Sequence, residues 1–369
     1  MPAWARALLV IGLLYLFLVG VGLLSDGIKA LGSGFQEGLL ESVTNPVAGM
    51  FAGILATVLV QSSSVSTATI VGMVGAGTLS IEAAVPMIMG ANIGTSVTNT
   101  LASIGHVRRR EEFRRAFAGA TVHDFFNLLA VAIFLPLEIL TGILSTIAQE
   151  LADVLSSWGV QGGESDSVIK AAVGAGEAVV ERVVGVLGTS GTVLGVVLLA
   201  VGLGLIFLAL SNITRNMRQL IAGQVETAMN RMIGSGGGVV AILIGIVITV
   251  LVQSSSITTS ILVPLVAAGI LSLENAYPIT LGANVGTTVT ALLASLAVDL
   301  QAGLVVAIVH TLFNVAGILV FYPVPAMRRV PIRLARGLSD VAYDHRSLVF
   351  VYVLGAFVVL PLSGMLILR

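Results

Sequence analysis

TVLVQSSSVSTATIVGMVGAGTLSIEAAVPMIMGANIGTSVTNTLAS, residues 57–103, returns as TVLVQSSSITTSILVPLVAAGILSLENAYPITLGANVGTTVTALLAS, residues 249–295. The two stretches align without a gap at an offset of 192, and 28 of the 47 positions are identical. Identity at that level marks an internal duplication, so two equivalent structural units are expected. Each copy opens with an apolar run ending in LVQSSS (59–64; 251–256), crosses a short apolar segment to a Leu-Ser-hydrophobic-Glu turn (79–82; 271–274), and closes on G-A-N-h-G-T (90–95; 282–287). The correspondence resumes at an offset of 187, pairing His123, Phe126 and Asn127 with His310, Phe313 and Asn314.

The rest of the chain sets the medium in which the duplication folds. Of 369 residues, 56% are hydrophobic and 10% are charged, and the mean hydropathy is +1.05. A soluble domain carries roughly a quarter of its residues as charges, so this chain belongs in lipid. Apolar stretches such as 7–24, 192–210 and 348–368 are close to the roughly 20 residues that span a bilayer core as helix. They lack the short alternating segments of a membrane barrel. The 42 glycines suit close helix packing and broken helices. The absence of cysteine rules out disulfides, thiolate metal sites and thiol chemistry, and a net charge of −1 argues against a nucleic-acid partner. Arg6 before a long apolar run, with no small-residue cleavage pattern after it, reads as an anchor helix rather than a signal peptide.

Charge in the connecting segments predicts the topology. After the first copy the loop reads HVRRREEFRR (106–115); after the second it is the nearly neutral AVDLQ (297–301). Basic loops stay cytoplasmic, so the two copies are expected to be inverted relative to each other. Segments 25–41 and 138–182 carry mostly acids, and 215–231 and 328–346 mostly arginines. All four agree with a cytoplasmic N-terminus if each QSSS region is a re-entrant hairpin. The expected fold is an all-α polytopic membrane protein of two inverted repeats, each with a re-entrant helical hairpin tipped by QSSS and a broken transmembrane helix, plus flanking scaffold helices. Its divisions are an N-terminal anchor helix and external amphipathic segment (1–45), repeat 1 (46–137), an external linker (138–190), a connecting helix and cytoplasmic segment (191–235), repeat 2 (236–322), a basic cytoplasmic segment (323–346) and a C-terminal transmembrane helix (347–369).

Polar side chains are costly in hydrocarbon, so their clusters mark where protein meets protein or water. Gln61, Ser62, Ser63 and Ser64, with Gln253, Ser254, Ser255 and Ser256, are uncharged. A helix restarting behind such a tip nevertheless offers free N–H groups and about half a positive charge to an anion. Two inverted tips meeting at the midplane would double that donor set. Oxygen donors from Thr67, Asn92, Thr95, Asn127, Thr259, Asn284, Thr287 and Asn314, together with Asp124, suit a hard cation such as Na⁺. The competing account is that the hydroxyls simply pack helices. Repetition of the whole set in both halves weighs against it. Glu82 and Glu274 follow Ser80 and Ser272 and read as helix-start residues before ligands. His123 and His310 are open to two readings, proton carriers or structural hydrogen-bond partners. Asp124, whose counterpart is Thr311, is a coupling candidate or the partner of an interfacial Arg.

At QSSS, at GANIGT and above all at EFRRAFAGATVHDFFN (112–127), the chain resembles the type II sodium/phosphate cotransporter family, over about residues 8–367. The PIRLAR segment (331–336) extends the likeness. The resemblance implies sodium-coupled uptake of inorganic phosphate by alternating access, with the paired QSSS segments contributing to the phosphate site. It also implies no cofactor beyond co-transported Na⁺, no enzymatic activity, a homodimer, and residence in the bacterial inner membrane. An Asp at position 124 implies electrogenic transport. The arginines of 106–110 depart from the animal pattern and put a sodium ligand from that loop in doubt. Transport of sulfate or arsenate would use the same donors. A phosphate sensor without flux is a further alternative, and an intramembrane hydrolase with Ser62–Ser64 as nucleophile and His123 as base is disfavoured because an enzyme needs one nucleophile, not two copies.

Overall fold

The computed structural model describes residues 3–32, 34, 36–38, 43–157, 168–186, 191–235, 237–298 and 301–368, and the side chains of 218–235 are outside the description. Asp299, on which part of the loop-charge argument rests, lies outside the described residues, as does much of the polar stretch 151–168. Every regular element among the described residues is helical. Among the described residues, five helices or helical segments are long and apolar enough to cross a membrane: Trp4–Ala30, Arg110–Thr141, Gly191–Met217, Gln301–Phe321 and Ser347–Leu368.

In chain order the helices are α1 (Ala3–Ala30), α2 (Pro46–Val60), α3 (Ser63–Gly75), α4 (Ile81–Thr95), α5 (Val97–Ile104), α6 (Arg110–Thr141), α7 (Ile143–Ser157), α8 (Val168–Val186) and α9 (Gly191–Ser235). There follow α10 (Gly238–Val252), α11 (Ser255–Ala267), α12 (Leu273–Ser295), α13 (Gln301–Phe321), α14 (Pro325–Asp344), α15 (Ser347–Leu354) and, after a π-helical turn at Gly355–Val359, α16 (Leu360–Leu368). α2, α3, α10 and α11 have 15, 13, 15 and 13 residues. At 1.5 Å per residue each is about 20 Å long, short of a roughly 30 Å hydrocarbon core.

The duplication is structural as well as sequential. α2 ends on Gln61 at φ 56° and α10 on Gln253 at φ 55°, both left-handed. Ser62 and Ser254 then cap α3 and α11 from nearly identical extended backbones, accepting from Val65 N at 3.3 Å and Ile257 N at 3.4 Å. A left-handed residue followed by an extended cap reverses the chain in two residues, so each QSSS becomes a helix-turn-helix corner. Glycines set the packing of the helix that follows. A Cβ on Gly90 would lie 2.0 Å from Met50 O, and one on Gly282 2.0 Å from Ile242 O, so α4 and α12 touch α2 and α10 backbone to backbone.

The broken helix expected in each copy is found once. In the first copy the chain tightens at Ser96, where Ser96 N and Asn99 N bond three residues back, and splits into α4 and α5. In the second copy α12 continues for 23 residues through Thr288, the counterpart of Ser96. Both hydroxyls bond back to the same turn, Ser96 to Ile93 O and Thr288 to Val285 O. The interruption is therefore one tightened turn and not a gap. Helix α6 runs to Thr141, past the boundary at 137, and turns into α7 at Gly142 (φ 60°). The buried Glu138 fixes that corner by accepting from Leu144 N (2.8 Å), Ser145 N (3.1 Å) and the Ser145 hydroxyl. The segment read as a linker, 138–190, contains α7 and α8, and α8 docks on the central turns of α1, where Tyr15 OH donates to Ala172 O at 2.9 Å.

The turns that close the two copies lie at opposite ends of α13. Gly75, before the first turn, packs against Val298, just ahead of α13. Gly238, at the start of the second copy, packs against Tyr322, just after it. Gly269, in the second turn, faces Arg115 at the start of α6. α1 and α9 pair along glycines, Gly20 with Gly202 and Gly27 with Gly195, and lean on α3 through Val21 and Leu24.

Candidate functional site

The two QSSS corners meet in the interior. Ser64 Oγ donates to Gln253 O at 3.2 Å, and Thr290 Oγ1 reaches both Ser64 Oγ (3.4 Å) and Gln253 Oε1 (2.9 Å). Thr98, the counterpart of Thr290, donates to Gln61 Oε1 at 3.2 Å. Each Gln also donates from Nε2 to the carbonyl three residues back, Val58 O and Val250 O. Both glutamines are thus held by the same pair of bonds, which fixes the left-handed corner from two sides.

A cavity of about 810 Å³ opens beside these corners. Gln61, Ser62, Gln253, Ser254 and Ser256 line it, while Ser63, Ser64 and Ser255 are buried behind it in the first turns of α3 and α11. Those first turns leave backbone N–H groups without intrahelical partners. The third wall is one face of α9, contributing Phe207, Leu210, Ser211, Thr214 and Arg215. Thr214 Oγ1 donates to Val252 O at 3.0 Å and fixes α9 against the second corner. Arg215 is the one charged residue lining the cavity and has no ion-pair partner among the described residues.

Behind the corners five of the expected cation donors, Asn92, Asn127, Thr259, Asn284 and Asn314, belong to a continuous buried network that exchanges partners between copies. Asn92 of the first copy donates to Asn314 Oδ1 (2.9 Å) and accepts from His310 Nε2 (3.1 Å). Asn284 of the second copy donates to Asn127 Oδ1 (2.7 Å) and accepts from His123 Nε2 (2.6 Å). Asn127 Nδ2 donates to Asn92 O at 2.7 Å, within the first copy, and so links these two clusters. His123 Nδ1 accepts from Asn99 Nδ2 at 3.3 Å, and Asn99 Oδ1 accepts from Thr259 (2.9 Å) and Ser260 (3.1 Å). A ring that donates from one nitrogen and accepts at the other is a neutral imidazole, which favours the structural reading of His123. Thr67, Thr95 and Thr287 bond back to Ser64 O, Ala91 O and Ala283 O, so their oxygens keep lone pairs free.

Asp124 stands apart from that network and is fully buried. Its Oδ2 accepts from Thr100 Oγ1 at 3.2 Å and from Tyr352 OH at 2.8 Å, and its Oδ1 has no partner. Among the described residues no Arg pairs with it, so the interfacial partner considered is not found there. Glu82 and Glu274 sit in the first turns of α4 and α12 behind the caps Ser80 and Ser272, as the helix-start reading requires, and Glu274 also accepts from Arg336 at 2.6 Å.

A family model described as Na⁺/Pi-cotransporter matches residues 16–158 and 205–322. The chain belongs to the Na⁺/Pi-cotransporter family. The sodium-dependent phosphate transport protein 2A of Ovis aries is 35% identical over 428 residues, covering 96% of this chain and 66% of its own length. The corresponding 2A protein of Rattus norvegicus is 35% identical over 426 residues with the same coverage. The 2B protein of Homo sapiens is 33% identical over 448 residues, covering 97% of this chain and 64% of its own length. This family member thus spans about two thirds of the length of those relatives. No solved structure matches it.

For this cotransporter-family chain the residues missed from sequence were Ser211, Thr214 and Arg215. Arg215 was counted among the basic residues of 215–231 that set the topology. The signal that would have found them is the helical spacing of Phe207, Leu210, Ser211, Thr214 and Arg215, a mixed face at the end of an otherwise apolar helix.

Proposed function

We propose that the chain is a secondary active transporter that couples inward movement of Na⁺ to uptake of inorganic phosphate by alternating access, electrogenically. The observation that carries the reading is the meeting of two duplicated QSSS corners at one cavity, with Ser64 bonded to Gln253 O and Arg215 on the facing wall. An oxyanion there would meet two helix starts, the hydroxyls of Ser62, Ser254 and Ser256, the amides of Gln61 and Gln253, and one guanidinium. The names of the Ovis aries and Homo sapiens relatives, sodium-dependent phosphate transport proteins, support phosphate and Na⁺ as the cargo.

The corners are read as tips of two re-entrant hairpins in inverted repeats. Two features support this: α2, α3, α10 and α11 are short for a bilayer, and the closing turns lie at opposite ends of α13. The buried network of Asn92, Asn127, Asn284 and Asn314, with Thr67, Thr95, Thr259 and Thr287, is the proposed path and store for Na⁺. Asp124, beside that network, is the proposed charged group of the Na⁺ path because its Oδ1 is buried without a partner. One net positive charge moved through 100 mV contributes about 2.3 kcal/mol to uphill uptake. The proposed setting is the bacterial inner membrane with the N-terminus cytoplasmic.

The test is labelled phosphate uptake into proteoliposomes under an inward Na⁺ gradient, with K⁺ as control, for the native chain and the Ser62→Ala, Ser254→Ala double variant. Sodium-dependent uptake that collapses in the double variant is expected. Folded native protein with no sodium-dependent phosphate flux would overturn the proposal.

A further inference from the structure

A second cavity, of about 480 Å³, lies away from the QSSS corners at the foot of the second copy. Its basic wall is one face of α14, where Arg329, Arg333 and Arg336 follow at spacings of four and three residues with Arg328 beside them. Among the described residues Glu274 is the one acid lining it, so four positive charges less one negative leave +3. Arg336 is held by Glu274 at 2.6 Å. Arg328 is held by Tyr322, donating from Nε to its carbonyl at 2.8 Å and stacking 4.3 Å over its ring. Arg329 and Arg333 are exposed and have no carboxylate partner among the described residues. Like charges one helical turn apart repel unless an anion lies between them.

The surroundings point to the class of anion. The floor is apolar, formed by Ala241, Pro278 and Ile332. Beside it Val239 and Val240, at the start of α10, are 66% and 45% exposed. α14 joins two segments long and apolar enough to cross a membrane, Gln301–Phe321 and Ser347–Leu368, so it lies at the level of lipid headgroups. A free ion would satisfy the arginines and leave the valines bare; a lipid would cover both. We propose that this cavity binds the phosphate headgroup of an anionic phospholipid, with Arg329 and Arg333 on the phosphodiester oxygens and an acyl chain along Val239 and Val240. The guanidinium fork matches phosphate geometry, and basic pockets at membrane-helix ends favour such headgroups. Because α10 and α12 form one wall and α14 the other, the lipid would tie the foot of the second copy to the helix that follows it.

The full chain in neutral detergent is titrated with phosphatidylglycerol, phosphatidylcholine or inorganic phosphate while its thermal unfolding midpoint is followed. Phosphatidylglycerol alone is expected to raise the midpoint. At about a fivefold affinity factor per basic residue near an anionic headgroup, Arg329→Gln with Arg333→Gln should raise the half-effective lipid concentration roughly 30-fold. Arg333→Glu alone should weaken the response more than Arg333→Gln, and Arg346→Gln, outside the cavity, should leave it unchanged. An unaltered response in the double variant, an equal rise with phosphatidylcholine, or an equal rise with inorganic phosphate would each overturn the lipid site.

Discussion

In the proposed mechanism Arg215 and Asp124 carry the two fixed charges that the corners themselves lack, and they act on different ions. Arg215 lines the cavity, so in that mechanism its charge bears on the anion. A hydrogen bond to a charged group is worth about 1.5–3 kcal/mol, so Arg215→Gln is expected to raise the KM for phosphate roughly tenfold or more. Arg215→Lys should recover part of the loss and the KM for Na⁺ should hardly move; initial rates at varied phosphate and varied Na⁺ separate the two. Asp124 is buried behind the cavity with one oxygen bonded to Thr100 and Tyr352 and the other free. Asparagine keeps the acceptor for both partners and removes the charge. Asp124→Asn should therefore leave a folded protein whose uptake no longer responds to an imposed membrane potential, read in proteoliposomes with a potassium diffusion potential. Unchanged voltage dependence would remove Asp124 from the coupling path.

At the scale of elements, glycine decides whether the two copies assemble. Gly53 and Gly90 let α2 press against α4, and Gly245 and Gly282 let α10 press against α12, each with a backbone oxygen 2.0 to 2.2 Å from where an added Cβ would sit. The neighbours are main-chain atoms and cannot swing aside. Gly282→Ala and Gly90→Ala are each expected to destabilise the protein by about 3 kcal/mol, the upper end of the range for overpacked contacts because main-chain atoms must move. Gly12, on α1, has nothing within 4 Å of an added Cβ, and Gly12→Ala should be neutral or mildly stabilising. Thermal unfolding midpoints in detergent check all three, and equal midpoints would show that close approach is not what holds the pairs.

For the molecule as a whole, the placement of the closing turns at opposite ends of α13 makes sidedness testable, and the chain has no cysteine to confuse the result. Glu82→Cys and Asn275→Cys, in the exposed first turns of α4 and α12, should be labelled by a membrane-impermeant thiol reagent from opposite faces of sealed vesicles. Labelling from the same face would sink the inverted arrangement. The membrane class, the duplication and the QSSS corners were legible in the sequence because composition, a fixed offset of 192 and polar residues in apolar runs are properties of order along the chain. Ser80 and Ser272 as caps were legible for the same reason, since a cap bonds within three residues of itself. What the sequence could not supply was partnership at a distance. Nothing along the chain tells Asn92 to bond Asn314 and His310, more than two hundred residues away, in preference to a cation or a nearer hydroxyl, because amide and hydroxyl donors are interchangeable until packing brings particular ones within hydrogen-bond reach. Nor did local order show that α12 runs unbroken where its twin splits, or that Arg215 stands inside the cavity. That last placement depends on the glycine pairing of α9 with α1 and on the Thr214–Val252 bond, contacts that exist once the helices have packed.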